Sequence, residues 1–286
     1  MKATAKFRAL LKDDGLIMAP GAHDALSARL AELEGFPAVY LGGLACAASM
    51  LCLPDQSLIT MTELLQHTQR VAAAVNIPII ADIDDGGGNA LSVRRTVRLF
   101  EAAGVAAVHL EDHVPGKHYG RGGQLFPKEV AVQKLRAAVD ARQDSDFVII
   151  ARCDALGVSG SPDEAMDRAL AYVEAGADMV FIAGLQLKDM PSVVGALPVP
   201  LLNVVRDTPR ADLEKAGLKV GIYYAQSMQV AFKAVRDMFR ELRETGTISN
   251  LDGRTPSREE FNDVVGGTEG TQLAERYGVI APAVRA

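Results

Sequence analysis

The 286 residues, 49% hydrophobic and 23% charged, supply material for a large core and exclude a disordered or low-complexity chain. A net charge of −6 with no run of lysine or arginine leaves no basic footprint, so a small molecule rather than nucleic acid is the expected partner. The N-terminus lacks the apolar core of a signal peptide and no apolar stretch reaches about 18 residues, so the expectation is a cytoplasmic protein with no membrane partner.

A repeated pattern organises the chain: E-L-E-G-F-P-A-V-Y-L-G-G (32–43), E-A-A-G-V-A-A-V-H-L-E-D (101–112), E-A-G-A-D-M-V-F-I-A-G (174–184) and E-K-A-G-L-K-V-G-I-Y-Y-A (214–225). Each reads as a helix end, a glycine and a strand, with Gly35, Gly104, Gly176 and Gly217 in the left-handed closing position. Apolar runs at Leu16–Ala19, Ile77–Ala81, Phe147–Ala151 and Pro200–Val204 supply the remaining strands, which makes eight alternating with helices. That count predicts an α/β fold, a (β/α)8 TIM barrel, rather than a doubly wound open sheet, for which a G-x-G-x-x-G after the first strand is missing. Asp24, Thr60 with Glu63, Asn89, and Ser161-Pro162 with Glu164 mark helix starts. Residues 224–246 read as one long amphipathic helix ending at Gly246, and 247–286 as a C-terminal helical extension to a single barrel domain spanning 1–286. Cys46, Cys52 and Cys153 have no metal-type spacing and read as small buried hydrophobes.

In such a barrel the C-terminal strand ends form the site. They carry Gly42, Gly43 and Leu44, then Asp82, Asp84 and Asp85, then Glu111 and Asp112, then Arg152 and Asp154, and finally Asn203 and Arg206. In Pro78–Asn89 an apolar run ends in three carboxylates and three glycines. Like charges so close raise one another's pKa, and a hard divalent cation relieves them; acidic caps for the next helix are the alternative. Arg152 offers a planar fork to a substrate carboxylate, or pairs with Glu111 or Asp112 as a structural bridge, while the amides around Gly42–Gly43 suit a second anion. The glycine-rich stretch 112–124 reads as a lid, with Lys117, His118, Tyr119 and Arg121 able to meet anions or move protons. His109 reads as a buried structural residue.

With these residues in view, the chain resembles the isocitrate lyase / phosphoenolpyruvate mutase superfamily over nearly all of residues 15–245. The resemblance runs through A-V-Y-L-G-G (38–43), L-P-D-x-x-L-I-T (53–60), A-D-I-D-D-G-G-G-N (81–89), L-E-D (110–112), G-K-H-Y-G-R (116–121), A-R-C-D-A (151–155) and P-L-L-N (200–203). It implies a Mg2+ site, with Mn2+ as a substitute, led by Asp84 with Asp82 and Glu111. It implies that Asp55 lies near the reacting centre, and that Tyr40, Gly42, Gly43, Leu44, Arg152 and Asn203 bind the substrate around a pyruvate-like enolate. The lid residues Lys117, His118, Tyr119 and Arg121 complete the implied catalytic set, and a homotetramer is implied as the assembly.

Three departures bear on the reaction. Carbon–carbon lyases of this superfamily carry K-[KR]-C-G-H in the lid, whereas this chain has Lys117, His118, Tyr119, Gly120 and Arg121, so the thiol acid is gone. Gly42 stands where a Ser commonly precedes the glycine pair, and Asp85 replaces a common Thr, which predicts extra negative charge beside the metal. The expected activity is a metal-dependent carbon–carbon lyase acting on a small 2-oxo or 2-hydroxy dicarboxylate, by oxaloacetate-type decarboxylation or methylisocitrate/alkylmalate-type cleavage. A phosphonopyruvate-type hydrolase or mutase and a catalytically silent ligand-binding barrel are the alternatives.

Overall fold

The structure is a computed structural model and describes residues 1–116, 123–249 and 253–281. The chain divides into two compact units, Met1–Met228 and Gln229–Ala286. The first is a closed barrel of eight parallel strands in sequence order. These are β1 (Ile17–Ala22), β2 (Val39–Leu41), β3 (Ile79–Asp82), β4 (Ala107–Glu111), β5 (Val148–Cys153), β6 (Met179–Ile182), β7 (Leu201–Val204) and β8 (Val220–Tyr223). The barrel closes where Ile17 pairs with Val220. Around it, in chain order, lie α1 (Ala3–Lys12), α2 (Ala25–Leu33), α3 (Gly43–Leu51), α4 (Met61–Ala74), α5 (Ala90–Ala102), α6 (Lys128–Ala141), α7 (Ala155–Val158), α8 (Pro162–Glu174), α9 (Met190–Ala196) and α10 (Arg210–Lys215). Helix α11 (Gln226–Thr245) begins in the first unit and continues into the second, where α12 (Arg258–Val264) packs on α13 (Gly267–Arg276).

The expected helix starts are realised. Thr60 and Glu63 form a reciprocal capping box, Asp24 forms one with Ser27, and Asn89 and Ser161 accept first-turn amides. Gly35, Gly104, Gly176 and Gly217 all have positive φ, as the repeated pattern requires. Sequence reasoning did not anticipate α1, whose Phe7 is fully buried among the residues filling the barrel interior.

Two apolar layers follow from the two-residue period of a strand. Tyr40, Ile80, Ala107, Val148, Ile150, Met179, Leu202 and Val220 point into the barrel, while Val39, Leu41, Ile79, Ala81, Val108, Ile149, Val180 and Leu201 pack under the helices. Continued past the last apolar residue, the same alternation decides which polar side chains reach the mouth. Asp82, Glu111 and Arg152 have inward parity, whereas Asp112 and Asn203 have outward parity.

The candidate active site

Asp82 ends β3, and its Oδ1 accepts the Asp84 amide at 2.9 Å. Asp84 is a non-glycine residue with φ +44°, a conformation that L side chains adopt only when their surroundings impose it. Its carbonyl accepts the amide of Glu111, at the end of β4, at 2.9 Å. Turn and strand therefore bring Asp82, Asp84 and Glu111 together, all three buried, with one carboxylate oxygen of each within 4.8 Å of the others. Three buried hard oxygen donors suit a divalent cation of the Mg2+ or Mn2+ type better than a soft one. The Gly43 amide donates to Asp82 Oδ2 at 3.1 Å, and a Cβ on Gly43 would stand 3.4 Å from that oxygen. That amide therefore orients a carboxylate of the cluster, a use the sequence did not suggest.

A cavity of about 520 Å³ opens beside the cluster. Tyr40, Gly42, Gly43, Leu44, Asp55, Asp82 and Arg152 line it, as the motifs led one to expect. Phe181, Ala183, Gly184, Val204 and Tyr224 line it too; these come from β6, β7 and the end of β8, and sequence reasoning missed them. Strand parity was the available signal, since Phe181, Ala183 and Val204 continue the inward rows of β6 and β7.

Tyr40 and His109 stack with ring centroids 5.6 Å apart, and the Tyr40 hydroxyl lies 2.8 Å from His109 Nε2 and 3.4 Å from Asp82 Oδ2. Burial, and after it the Asp82 charge, push the Tyr40 phenol well above its ordinary pKa, so the hydroxyl keeps its proton. His109 is buried as expected, but it supports a hydroxyl of the cavity wall. Gly42 is explained by the same ring: a Cβ there would come 2.7 Å from Tyr40 Cε1.

Arg152 sits among carboxylates. Its Nε and Nη2 donate to the two oxygens of Asp154 at 2.9 Å each, and Nη1 lies 3.0 Å from Glu111 Oε2. Burial opposes the guanidinium charge, but Glu111 and Asp154 outweigh it and hold the pKa above its ordinary value. The bridge to Glu111 is thus present alongside Arg152's place on the cavity wall. Asp112 makes no such bridge: it accepts from Tyr172 Oη at 2.6 Å and Arg168 Nη1 at 3.4 Å in the outer layer.

Other expectations need correction. Asp85 does not add charge beside the cluster, because it turns outward to Lys134, 3.0 Å away. Asn203 is buried but does not line the cavity; its amide donates to the Leu185 carbonyl and accepts from the Val204 amide, each at 2.9 Å. Outward parity on β7 is the reason. Arg206 is exposed and donates to the Tyr224 hydroxyl at 2.8 Å. Cys46 and Cys153 are buried, but Cys52 is exposed. Lys117, His118, Tyr119 and Arg121 lie outside the described residues. The stems of their loop are joined by an antiparallel bridge between His113 and Leu125 and by the Val114 amide donating to Gln124 at 2.7 Å.

A closed eight-stranded barrel with a buried acidic cluster and the Arg152 guanidinium at the C-terminal ends of its strands is the architecture of a barrel enzyme. The chain belongs to the phosphoenolpyruvate phosphomutase family, whose model matches residues 7–243, within the isocitrate lyase/phosphoenolpyruvate mutase superfamily. It is 42% identical to 2,3-dimethylmalate lyase of Eubacterium barkeri, covering 97% of this chain and 99% of that one. It is 39% identical to oxaloacetate decarboxylase of Rhodopseudomonas palustris, covering 86% of each. Among solved structures, phosphonopyruvate hydrolase in complex with oxalate and Mg2+ superposes with a TM-score of 0.88 at 34% identity, covering 96% of this chain and 99% of that one.

Proposed function

We propose that the protein is a Mg2+-dependent carbon–carbon lyase acting on a small 2-oxo dicarboxylate of the oxaloacetate type, releasing CO2 and leaving the enolate of pyruvate. The observation that carries this reading is the buried Asp82–Asp84–Glu111 cluster, with Asp82 on the wall of the same cavity as Arg152 and Glu111 bridged to Arg152 at 3.0 Å. The three carboxylates would hold the cation, with Mn2+ as a substitute; when bound it supplies Lewis-acid stabilisation of charge on the enolate oxygen. Arg152 fixes the carboxylate next to the carbonyl and remains charged throughout. Tyr40 keeps its proton and donates a hydrogen bond beside that carboxylate, and Asp55, also on the cavity wall, lies near the reacting centre. Gly42, Gly43 and Leu44 close the near side. As the C3–carboxylate bond breaks, its electron pair moves onto the enolate, and water returns a proton to C3. The relatives support this reading: one acts as an oxaloacetate decarboxylase, and a solved neighbour holds oxalate, which has the shape of the enolate, with Mg2+.

A second reading is favoured by a different observation. Leu44, Phe181 and Val204 give the cavity an apolar wall suited to an alkyl substituent, and a relative is a 2,3-dimethylmalate lyase. Cleavage of an alkylmalate needs an acid in the lid, where Tyr119 would replace the thiol. A pyruvate-release screen over oxaloacetate, 2,3-dimethylmalate, 2-methylisocitrate and phosphonopyruvate, repeated with Tyr119→Phe, separates the two. Decarboxylation predicts oxaloacetate turnover and a loss under about tenfold in the variant; alkylmalate turnover that falls ~10²–10⁴-fold supports the second reading instead. For either substrate the motif assigns Lys117, His118 and Arg121 to the catalytic set.

We also propose a homo-oligomer, by family resemblance a tetramer, in the cytoplasm. Val230, Phe232, Val235, Phe239 and Leu242 of the second unit are exposed large hydrophobics on one helix, which suits burial by another copy. Light scattering should give four times the 30.4 kDa chain mass. A monomer mass contradicts this. Among the described residues no helix is long and apolar enough to cross a membrane.

A further inference from the structure

Asp84 enters the acidic cluster only because the turn from Ile83 to Gly88 holds an unusual shape. Asp84 has φ +44°, and Gly86, Gly87 and Gly88 follow at +77°, +83° and +119°. Three glycines in succession make this segment floppy by nature, so something outside it must choose its conformation. The Thr96 hydroxyl fixes one point, donating to the Gly86 carbonyl at 3.0 Å. Asp85 fixes the rest: its Oδ1 accepts the Gly87 amide at 3.1 Å and its Oδ2 accepts the Gly88 amide at 3.0 Å.

Asp85 is itself buried, and a buried carboxylate keeps its charge and its place only with a partner. That partner is Lys134 of α6, 3% exposed, whose Nζ lies 3.0 Å from Asp85 Oδ2. The same ammonium sits 3.9 Å over the ring centroid of Phe126. One carboxylate and one aromatic face thus stand where water would otherwise solvate the ammonium. Nothing in this arrangement touches the cavity directly.

We propose that Lys134 is a positioning residue for the metal site: through Asp85 it locks the 83–88 turn in the one shape that presents the Asp84 carboxylate to Asp82 and Glu111. The pair also neutralises Asp85, so no uncompensated fourth negative charge stands behind the three carboxylates of the cluster. This inference rests on the metal reading of the cluster.

Mn2+ binding to the full chain, measured calorimetrically, tests it without any substrate, with circular dichroism and thermal melting as the control for folding. The wild type should bind Mn2+ at one site, and Lys134→Met should bind it about 10–100-fold more weakly, the usual cost of removing a support behind a metal ligand. Because Lys134→Met leaves a buried charge alone, the deciding variant is the double Asp85→Asn/Lys134→Met, which leaves none. The expected result is a folded double variant whose Mn2+ affinity is still reduced about tenfold or more. A folded double variant with wild-type affinity overturns the proposal. If neither variant folds, the pair belongs to the barrel rather than to the site, and the proposal fails as well. A wild-type chain that takes up no Mn2+ overturns the metal reading itself, and this inference with it.

Discussion

Arg152 has more carboxylate around it than one guanidinium needs, since Asp154 takes two of its nitrogens and Glu111 stands by a third. A planar fork satisfies this geometry and still presents charge to the cavity, whereas a lysine ammonium is a single point. Arg152→Lys should therefore raise KM and lower kcat together. The loss in kcat/KM should be about 10–100-fold, the worth of one charge-assisted hydrogen bond at ~1.5–3 kcal/mol. Unchanged steady-state kinetics on a turned-over substrate would place Arg152 outside the reaction. Lysine in the same place keeps the positive charge, so a change confined to a higher KM would instead mean that the fork assists binding alone.

The join between β4 and α8 carries a prediction of its own. Burial raises the Asp112 carboxyl above its ordinary pKa, and the hydroxyl of Tyr172 on α8, 2.6 Å away, works to bring it back down. A carboxyl raised on folding contributes stability below its unfolded pKa of about 3.9 and loses that contribution as pH rises through the folded value. Tyr172→Phe removes a lowering partner, so it should push the folded value further up. Its deficit against wild type should be small near pH 4 and grow towards neutrality to about 1–3 kcal/mol, the cost of an unsatisfied buried acceptor. Urea denaturation at several pH values measures this, and a deficit independent of pH contradicts it. How much of these elements could be read from the sequence follows from what encodes them. Strand and helix identity was legible because glycine closures and caps are local, and Gly35, Thr60 and Asn89 act within a few residues of themselves. Asp82, Glu111 and Arg152 were legible because parity and motif agreed, and Asp84 because of the motif alone, since it follows β3 in a turn. Asn203 was expected on the cavity wall because the motif was read without strand parity along β7, and Asp85 was expected beside the cluster because the turn after β3 does not follow that parity. Lys134 and the Tyr172–Asp112 contact were not legible, since they join α6 and α8 to strand ends dozens of residues away. Helix α1 was missed for a similar reason: what marks it is the fit of Phe7 beneath the barrel.

For the molecule as a whole, the barrel supplies a rigid ring of strand ends, and its closure brings the buried acidic cluster together. The carboxylates arrive from two pieces of chain, with Asp82 and Asp84 at the end of β3 and Glu111 at the end of β4, so no local fragment assembles the cluster. The most direct measurement is pyruvate release from oxaloacetate by the full chain, corrected for the metal-catalysed background in solution. It should be compared with Mg2+ present, in excess EDTA, and in Asp84→Ala. Release above background is expected only in the wild-type protein with Mg2+, with near-complete loss in EDTA restored by added Mg2+ or Mn2+, and none from a folded Asp84→Ala variant. Full activity in excess EDTA, or an Asp84→Ala variant that still turns over substrate, would contradict it.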